Sequence, residues 1–248
     1  MPMRISLLFF LICSLVRADS LVDLKTTLAR LNGHDPVKAA TTFTYWNRTG
    51  DDKAPVIEEA KISAVAEDGP QGLKITWGRD LIQQVTAEMR AQTENPEKKS
   101  PTRQAMDELN AIRLNDYLNT APGLLLKLAH AQLMKEDADT WRGQPVRLLL
   151  FKLTPPLSEH DRKYIKELEV TAKVWLGADG IPLAAETKSR IKGRALLVIT
   201  FEVEEDEAFD FAQVGRRLVI VRHVKESHNS GAGENSRQKT TATLSVIE

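Results

Sequence analysis

The sequence predicts an α+β protein: a curved antiparallel sheet, an incomplete β-barrel of about nine strands, covered by a helical insertion and an N-terminal helix. Two blocks of the chain place apolar residues at every second position, the period of a strand. A block with the helical period of about 3.6 separates them, and breaks rich in Gly, Asp and Pro divide the strands. With 248 residues, of which 42% are hydrophobic and 27% charged, the chain can bury a full core as a single domain.

Residues 1–18 have the layout of a secretory signal peptide. Arg4 supplies a positive charge, an apolar run follows at residues 5–16, and Ala18 is a small residue before the expected cleavage point. The apolar run is too short to span a bilayer, which needs about 20 residues. We therefore expect an exported protein, periplasmic or secreted, whose folded domain comprises residues 19–248; an uncleaved anchor is the alternative.

The single cysteine of the chain, Cys13, lies within the predicted signal peptide. Ile12 precedes it where bacterial lipoproteins carry a small residue, so we expect no lipidation. The cleaved chain would have no disulfide, thiolate nucleophile or cysteine metal site. The whole chain balances 34 basic against 34 acidic residues, and this lack of a basic surplus argues against a nucleic-acid partner.

The first part of the domain is predicted as one helix followed by three strands. Leucines recur at helical spacing in residues 21–32, and Pro36 ends that pattern. Apolar residues then alternate in residues 42–48, 57–65 and 73–77. The polar breaks between these segments indicate two hairpins.

A helical insertion is predicted from about residue 79 to residue 137. One apolar stripe covers residues 81–89, a second covers residues 105–117, and a third helix is expected at residues 122–136. The third helix begins with a run of leucines and is apolar around much of its circumference. Such a helix has to be covered on more than one side, either as a lid or as plain core.

The remainder of the chain is predicted as six more strands, at residues 146–153, 168–177, 181–191, 195–205, 214–225 and 238–247. An Asp-Gly pair at Asp179 and Gly180 marks a hairpin turn. We expect residues 202–213 to form a loop. Its acidic run is more typical of a solvated hairpin tip than of a calcium site, because the spaced Asp/Asn-Gly pattern of a calcium loop is missing.

The order of these elements resembles the periplasmic outer-membrane lipoprotein-carrier family, the lipoprotein-sorting proteins. The closest local match is the hairpin at residues 174–183, Val-Trp-Leu-Gly-Ala-Asp-Gly-Ile-Pro-Leu. In that family an incomplete barrel wraps around an apolar cavity and helices form the lid. The resemblance implies an exported protein that binds or carries a lipid or another apolar ligand, such as an acyl chain, with an envelope protein as a further partner.

The candidate ligand-binding residues are apolar side chains of the third helix and two strand tryptophans: Leu124, Leu125, Leu128, Trp77 and Trp175. The helix residues would line the cavity or its lid, and the tryptophans would rim an opening. Taken singly, each of them is more typical of core or edge packing than of a ligand contact. The alternative function is therefore a non-catalytic structural or interaction module of the cell envelope with a packed interior.

Motifs for catalysis or metal binding are missing from the sequence. The five histidines form no His-Glu-x-x-His or other paired spacing. A Gly-x-Ser-x-Gly elbow and a phosphate-binding glycine loop are absent as well. We expect no enzyme, no cofactor and no metal site, although a hydrolase of unrecognised geometry remains the small residual alternative.

Overall fold

A computed structural model describes residues 9–50, 53–195, 199–231 and 234–247. The helices of these ranges are α1 Phe9–Arg30, α2 Arg79–Glu94, α3 Pro101–Glu108, α4 Ala111–Leu118, α5 Ala121–Leu128 and α6 Glu159–Tyr164. The strands are β1 Val37–Thr49, β2 Val56–Gly69, β3 Gly72–Trp77, β4 Ala131–Trp141, β5 Gln144–Leu153, β6 Ile165–Leu176, β7 Pro182–Ala195, β8 Ile199–Val214, β9 Arg217–Gly231 and β10 Glu234–Val246.

All ten strands join one antiparallel sheet in the order β3-β2-β1-β10-β9-β8-β7-β6-β5-β4. Strands β3 and β4 are its two edges, so the sheet is open, and the chain between them forms helices α2 to α5. This confirms an α+β fold built on an antiparallel sheet, with ten strands where nine were expected. Among the described residues, no helix is long and apolar enough to span a bilayer.

The predicted N-terminal helix is present, and it is longer than expected. Helix α1 begins at Phe9 and ends at Arg30, so it runs through the predicted cleavage point. Residues 1–8 of the predicted signal peptide lie outside the described residues, and its cleavage stays a prediction.

The helical insertion ends earlier than the sequence indicated. Helix α5 stops at Leu128, and residues 131–141 form strand β4, which pairs with β5 along its length. The expected helix at residues 122–136 is therefore wrong in its second half. Residues 132–138 are rich in Lys, Glu, Met and Ala, which favour helices in isolation, and the pairing with β5 overrides that weak preference.

The expected loop at residues 202–213 is also wrong, because these residues belong to strand β8. The acidic side chains face basic ones on the neighbouring strands instead of standing at a solvated tip. Arg190 of β7 pairs with Glu202 at 2.5 Å, and Lys225 of β9 pairs with Glu205 at 2.5 Å. Opposite charges placed across neighbouring strands support the pairing of a sheet.

The helices cover only part of the concave face of the sheet. The ends of β6–β10 that lie beneath the helices are called the covered half. This half consists of residues 174–176, 182–187, 207–214, 217–223 and 240–246. We call the outer half residues 165–171, 188–195, 199–206, 224–231 and 234–239 of the same strands. The core lies in the covered half, where Leu218 and Val219 are fully buried. No described side chain of the outer half is buried.

Arg217 holds the segment between α1 and β1 against the sheet. It is 1% exposed, its Nη1 pairs with Asp68 at 2.6 Å, and its Nε donates to the carbonyl oxygen of Asp35. The backbone approaches closely here as well, since a Cβ on Gly33 would lie 2.6 Å from Arg216 Cβ. These contacts fix the position of α1 over the sheet, and α1 forms one wall of the site described next.

Candidate functional site

A cavity of about 240 Å³ lies between helices α1, α4 and α5 and the concave face of strands β5–β9. Its wall is mostly apolar, and one side opens to solvent. The apolar lining consists of Leu24, Leu28, Leu124, Leu128, Phe151, Leu153, Val174, Phe209, Phe211 and Ile220. Such a pocket suits the hydrocarbon part of a ligand.

Short side chains on neighbouring strands make the room for this cavity. Ala172 of β6 is paired with Thr187 of β7, and Val174 is paired with Ala185. All four residues line the cavity. Because larger side chains at Ala172 and Ala185 would fill this space, the choice of alanine leaves a hollow where the sheet could have packed against the helices.

A chain of hydrogen bonds closes one end of the cavity. The hydroxyl of Tyr117 lies 2.8 Å from His223 Nδ1, and His223 Nε2 lies 3.2 Å from Glu207 Oε1. An ionised carboxylate can only accept, so Nε2 carries the proton and donates to Glu207. The Tyr117 hydroxyl is placed to donate to Nδ1. We call these three side chains the polar trio.

The ring of Phe209 holds the imidazole of the trio in place. It stacks on His223 with ring centres 4.3 Å apart and planes 10° from parallel. Tyr117 meets the same imidazole edge-on, at 5.7 Å. The ring of His223 is therefore fixed on one face and at both nitrogens.

Burial and nearby cations shift the ionisation of the trio. Burial raises the pKa of Tyr117 to about 12, although Arg113 nearby opposes this effect. Burial also disfavours the charged form of Glu207. The hydrogen bond from His223 and the positive charges of Lys127 and Lys225 outweigh burial, so the pKa of Glu207 is lowered. The trio therefore holds a buried carboxylate and a neutral phenol near neutral pH.

The structure brings some of the sequence-predicted site residues together. Leu124 and Leu128 of α5 both line the cavity. Leu125 packs against the main core, and Leu126 is 73% exposed. Helix α5 therefore presents two of the three named leucines to the cavity.

The two tryptophans lie away from the cavity. Trp77 ends the edge strand β3 and packs partly against the main core. Trp175 lies on the opposite face of the sheet, where it contacts Trp141 and donates through Nε1 to Asp139 at 2.8 Å. This follows from the alternation of a strand, because Val174 points into the cavity and the next residue must point away.

The polar trio was missed at the sequence level. Tyr117 and His223 are separated by 106 positions, so no spacing rule connects them. His223 was a lone histidine in a strand, and Glu207 was one of several residues in the expected acidic tip. The one available signal was that Glu207, Phe209 and Phe211 share a face if residues 202–213 form a strand.

Among the described ranges, no group of three or more His, Cys, Asp or Glu side chains is placed to hold a metal ion.

Comparison with known proteins adds little. No family model and no curated protein matches this chain. One solved structure, titled "Crystal structure of MucB in complex with MucA(peri)", is weakly similar, with 10% sequence identity over 91% of this chain and 94% of that chain. The TM-score is 0.20, and a likeness at this level carries no argument about what this chain does.

Proposed function

We propose that the protein is exported and binds the apolar chain of a lipid-like ligand in the cavity beneath α5. The main support for this proposal is the largely apolar cavity of about 240 Å³. Two alanines of the sheet line it, and the hydrogen-bonded polar trio forms part of its wall. The N-terminal apolar run and the absence of cysteine after Cys13 support export.

The size of the cavity favours one hydrocarbon chain. Pockets for small molecules commonly measure roughly 300–1,000 Å³. At about 240 Å³ this cavity lies just below that range and is too small for several acyl chains. Each buried CH₂ contributes about 0.8 kcal/mol, which is about fourfold in Kd. Affinity should therefore rise steeply with chain length until the cavity is full.

Within this proposal the polar trio has no catalytic role. Both ring nitrogens of His223 already have partners, Tyr117 and Glu207. The hydroxyl at Nδ1 is the phenol of Tyr117, whose pKa is raised by burial, whereas an activated nucleophile needs a lowered pKa or an adjacent base that can take its proton. We propose that the trio closes and orients the cavity, and that the protein is not an enzyme.

The first test is to purify the mature protein without detergent and record its native mass, followed by organic extraction and lipid analysis. We expect a bound amphiphile, or saturable binding of the apolar probe 1-N-phenylnaphthylamine with one site per chain. A bare mass, an empty extract and no probe fluorescence with the fold intact would contradict the proposal. That result would favour a structural or interaction module of the envelope with a filled interior.

A matched pair of variants locates the binding site. Ala172→Leu places extra methyl groups in the cavity, and Thr171→Leu places a similar side chain on the opposite, exposed face of β6. We expect Ala172→Leu to weaken probe binding by about tenfold or more, because it removes the space that the probe would fill. The Thr171→Leu control should bind like the wild type; equal weakening in both would place the probe elsewhere.

A further inference from the structure

The cavity lining beside the polar trio contains two cations. Glu207 accepts a hydrogen bond from Nε2 of His223, and the Tyr117 hydroxyl is placed to donate to Nδ1. The trio is therefore satisfied internally, and a ligand would meet the groups beside it. Two of these groups are the cationic side chains of Arg113 and Lys127, which both line the cavity.

Arg113 has a buried nitrogen without a partner. Its Nη2 pairs with Glu108 at 3.1 Å, and its backbone N–H donates to the capping side chain of Asn110. Its Nη1 is buried, with no hydrogen-bond partner. A guanidinium keeps its charge in proteins. The Arg113 side chain is 28% exposed and lines the cavity, so the head of a ligand can approach its exposed part.

Lys127 provides the second cation, from helix α5. In the part of the chain that the structure describes, it forms no ion pair, and its Nζ lies 5.8 Å from the centre of the Phe209 ring. The side chain is exposed at the rim of the cavity. Its charge is therefore free to meet the head of a ligand whose chain lies beneath α5.

The two acidic side chains of the lining do not neutralise the charges of Arg113 and Lys127. Glu207 is already hydrogen-bonded to His223, and its negative charge is stabilised by the positive charges of Lys127 and Lys225. Asp116 also lines the cavity, but it is exposed and keeps its hydration. The group that a guanidinium and an ammonium both bind is an acceptor, and a charged acceptor forms the stronger hydrogen bond.

We propose that the cavity selects a single-chain amphiphile with an anionic head, and that Arg113 and Lys127 hold this head. The inference rests on the proposed function, since the chain of the same ligand would occupy the apolar cavity. A fatty-acid carboxylate and an alkyl phosphate share the required chemistry, because both present oxygens that a guanidinium can bind in pairs.

The test compares heads on a chain of constant length. Laurate, dodecyl phosphate, methyl laurate and dodecylamine each compete with 1-N-phenylnaphthylamine for the wild-type protein at neutral pH, below their micelle concentrations. We expect laurate or dodecyl phosphate to bind at least about tenfold more tightly than methyl laurate. The tighter of the two anions identifies the head. The preference should shrink at high salt, because Lys127 is exposed.

Two variants assign the preference to its residues. Arg113→Gln and Lys127→Gln should each lower the affinity for the anionic ligands about tenfold while leaving methyl laurate unchanged. Lys152→Gln is the matched control, since Lys152 is an exposed cation on the opposite face of the sheet from Phe151 and Leu153. Thermal unfolding of each variant checks that its fold is intact.

The outcomes separate this inference from the proposed function. Equal binding of laurate and methyl laurate would overturn the anionic head and leave the apolar cavity as proposed. Tighter binding of dodecylamine would overturn the anionic head as well, and would mean that Glu207 and Asp116 bind the head group. No binding of any of the four ligands would mean that the proposed function itself fails.

Discussion

The covered and outer halves of strands β6–β10 contain the same kind of alternating sequence and have different surroundings. In the covered half, Leu218, Ile220 and Leu244 are buried beneath helices. In the outer half, Ile191 and Val203 alternate in the same way and stay partly exposed. The comparison shows that alternating apolar residues are enough to form a strand. Whether their side chains are buried depends on how far the helices extend over the sheet.

The lengths of the elements explain where the covering stops. Helices α4 and α5 have 8 residues each, or about 12 Å at 1.5 Å per residue. Strand β8 has 16 residues, or about 50 Å at roughly 3.3 Å per residue. Helices α4 and α5 are too short to cover the full length of β8. The outer half is therefore held together by the backbone hydrogen bonds between its strands and by cross-strand ion pairs.

The largest expected difference between the halves comes from two arginines. Arg217→Met keeps apolar volume but leaves Asp68 without its partner, so we expect a loss of about 3–5 kcal/mol in the free energy of unfolding. Arg190→Met removes ion pairs with exposed side chains in the outer half, and its effect should lie near the error of measurement. Urea unfolding measures both. Equal losses would mean that the outer half contributes as much as the core.

Apolar truncations should sharpen the same contrast. Leu218 is fully buried, so Leu218→Ala should cost about 2–5 kcal/mol by leaving a cavity. Ile191 is only partly covered, and Ile191→Ala should cost about 1 kcal/mol or less. Thermal and urea unfolding report both values. A large loss for Ile191→Ala would indicate that something covers the outer face in solution.

Acid should weaken the protein through Glu207, at the boundary of the two halves. Its pKa is lowered from the ordinary 4.5, so its contribution is present above pH 4.5 and is lost as the pH falls through the lowered value. Glu207→Gln should therefore lose less stability on acidification than the wild type does.

Glu67→Gln is the control for this acid effect. The exposed pair of Glu67 with Lys38 also lowers the pKa of Glu67, but solvent screens this pair. Urea unfolding at neutral pH and near pH 3 compares the three proteins. The assignment to Glu207 would not survive if both variants had the same pH dependence.

The smallest effect concerns local opening. The ion pairs of the outer half, such as Lys188 with Asp206 and Lys225 with Glu205, are screened by salt. Amide hydrogen exchange in residues 188–206 should therefore accelerate modestly at high salt, by about threefold or less. Exchange in residues 217–223 should not respond. A uniform response of both segments would show that salt acts on global stability instead.

The sequence was informative where the pattern was local. The strands at residues 42–48, 57–65 and 73–77 were predicted from alternation, and β1, β2 and β3 confirm them. Strand β4 was missed because its helix-forming residues are held extended by a partner strand, β5. Local preference is weaker than pairing with a neighbouring strand, and the sequence pattern does not show which segment becomes that neighbour.

The site was predicted only in part, for a related reason. Leu124 and Leu128 could be named because a leucine run in a helix marks an apolar surface. The trio of Tyr117, His223 and Glu207 could not be named, since α4, β8 and β9 meet only in the folded tertiary structure. Polar residues that belong to different elements have no shared period, so their partnership depends on tertiary structure alone.

The pairing of β1 with β10 has a consequence for how this chain reaches its fold. Ala39 lies opposite Val246, so β1 gains its second neighbour only when β10, the last of the ten strands, has been made. Bringing such distant segments together is entropically costly and slows folding. A chain that leaves the ribosome in order therefore has two separate parts of the sheet, β3-β2-β1 and β9 to β4, until β10 has been made. A truncation that removes β10 would leave β1 and β9 with bare edges that can pair with other chains.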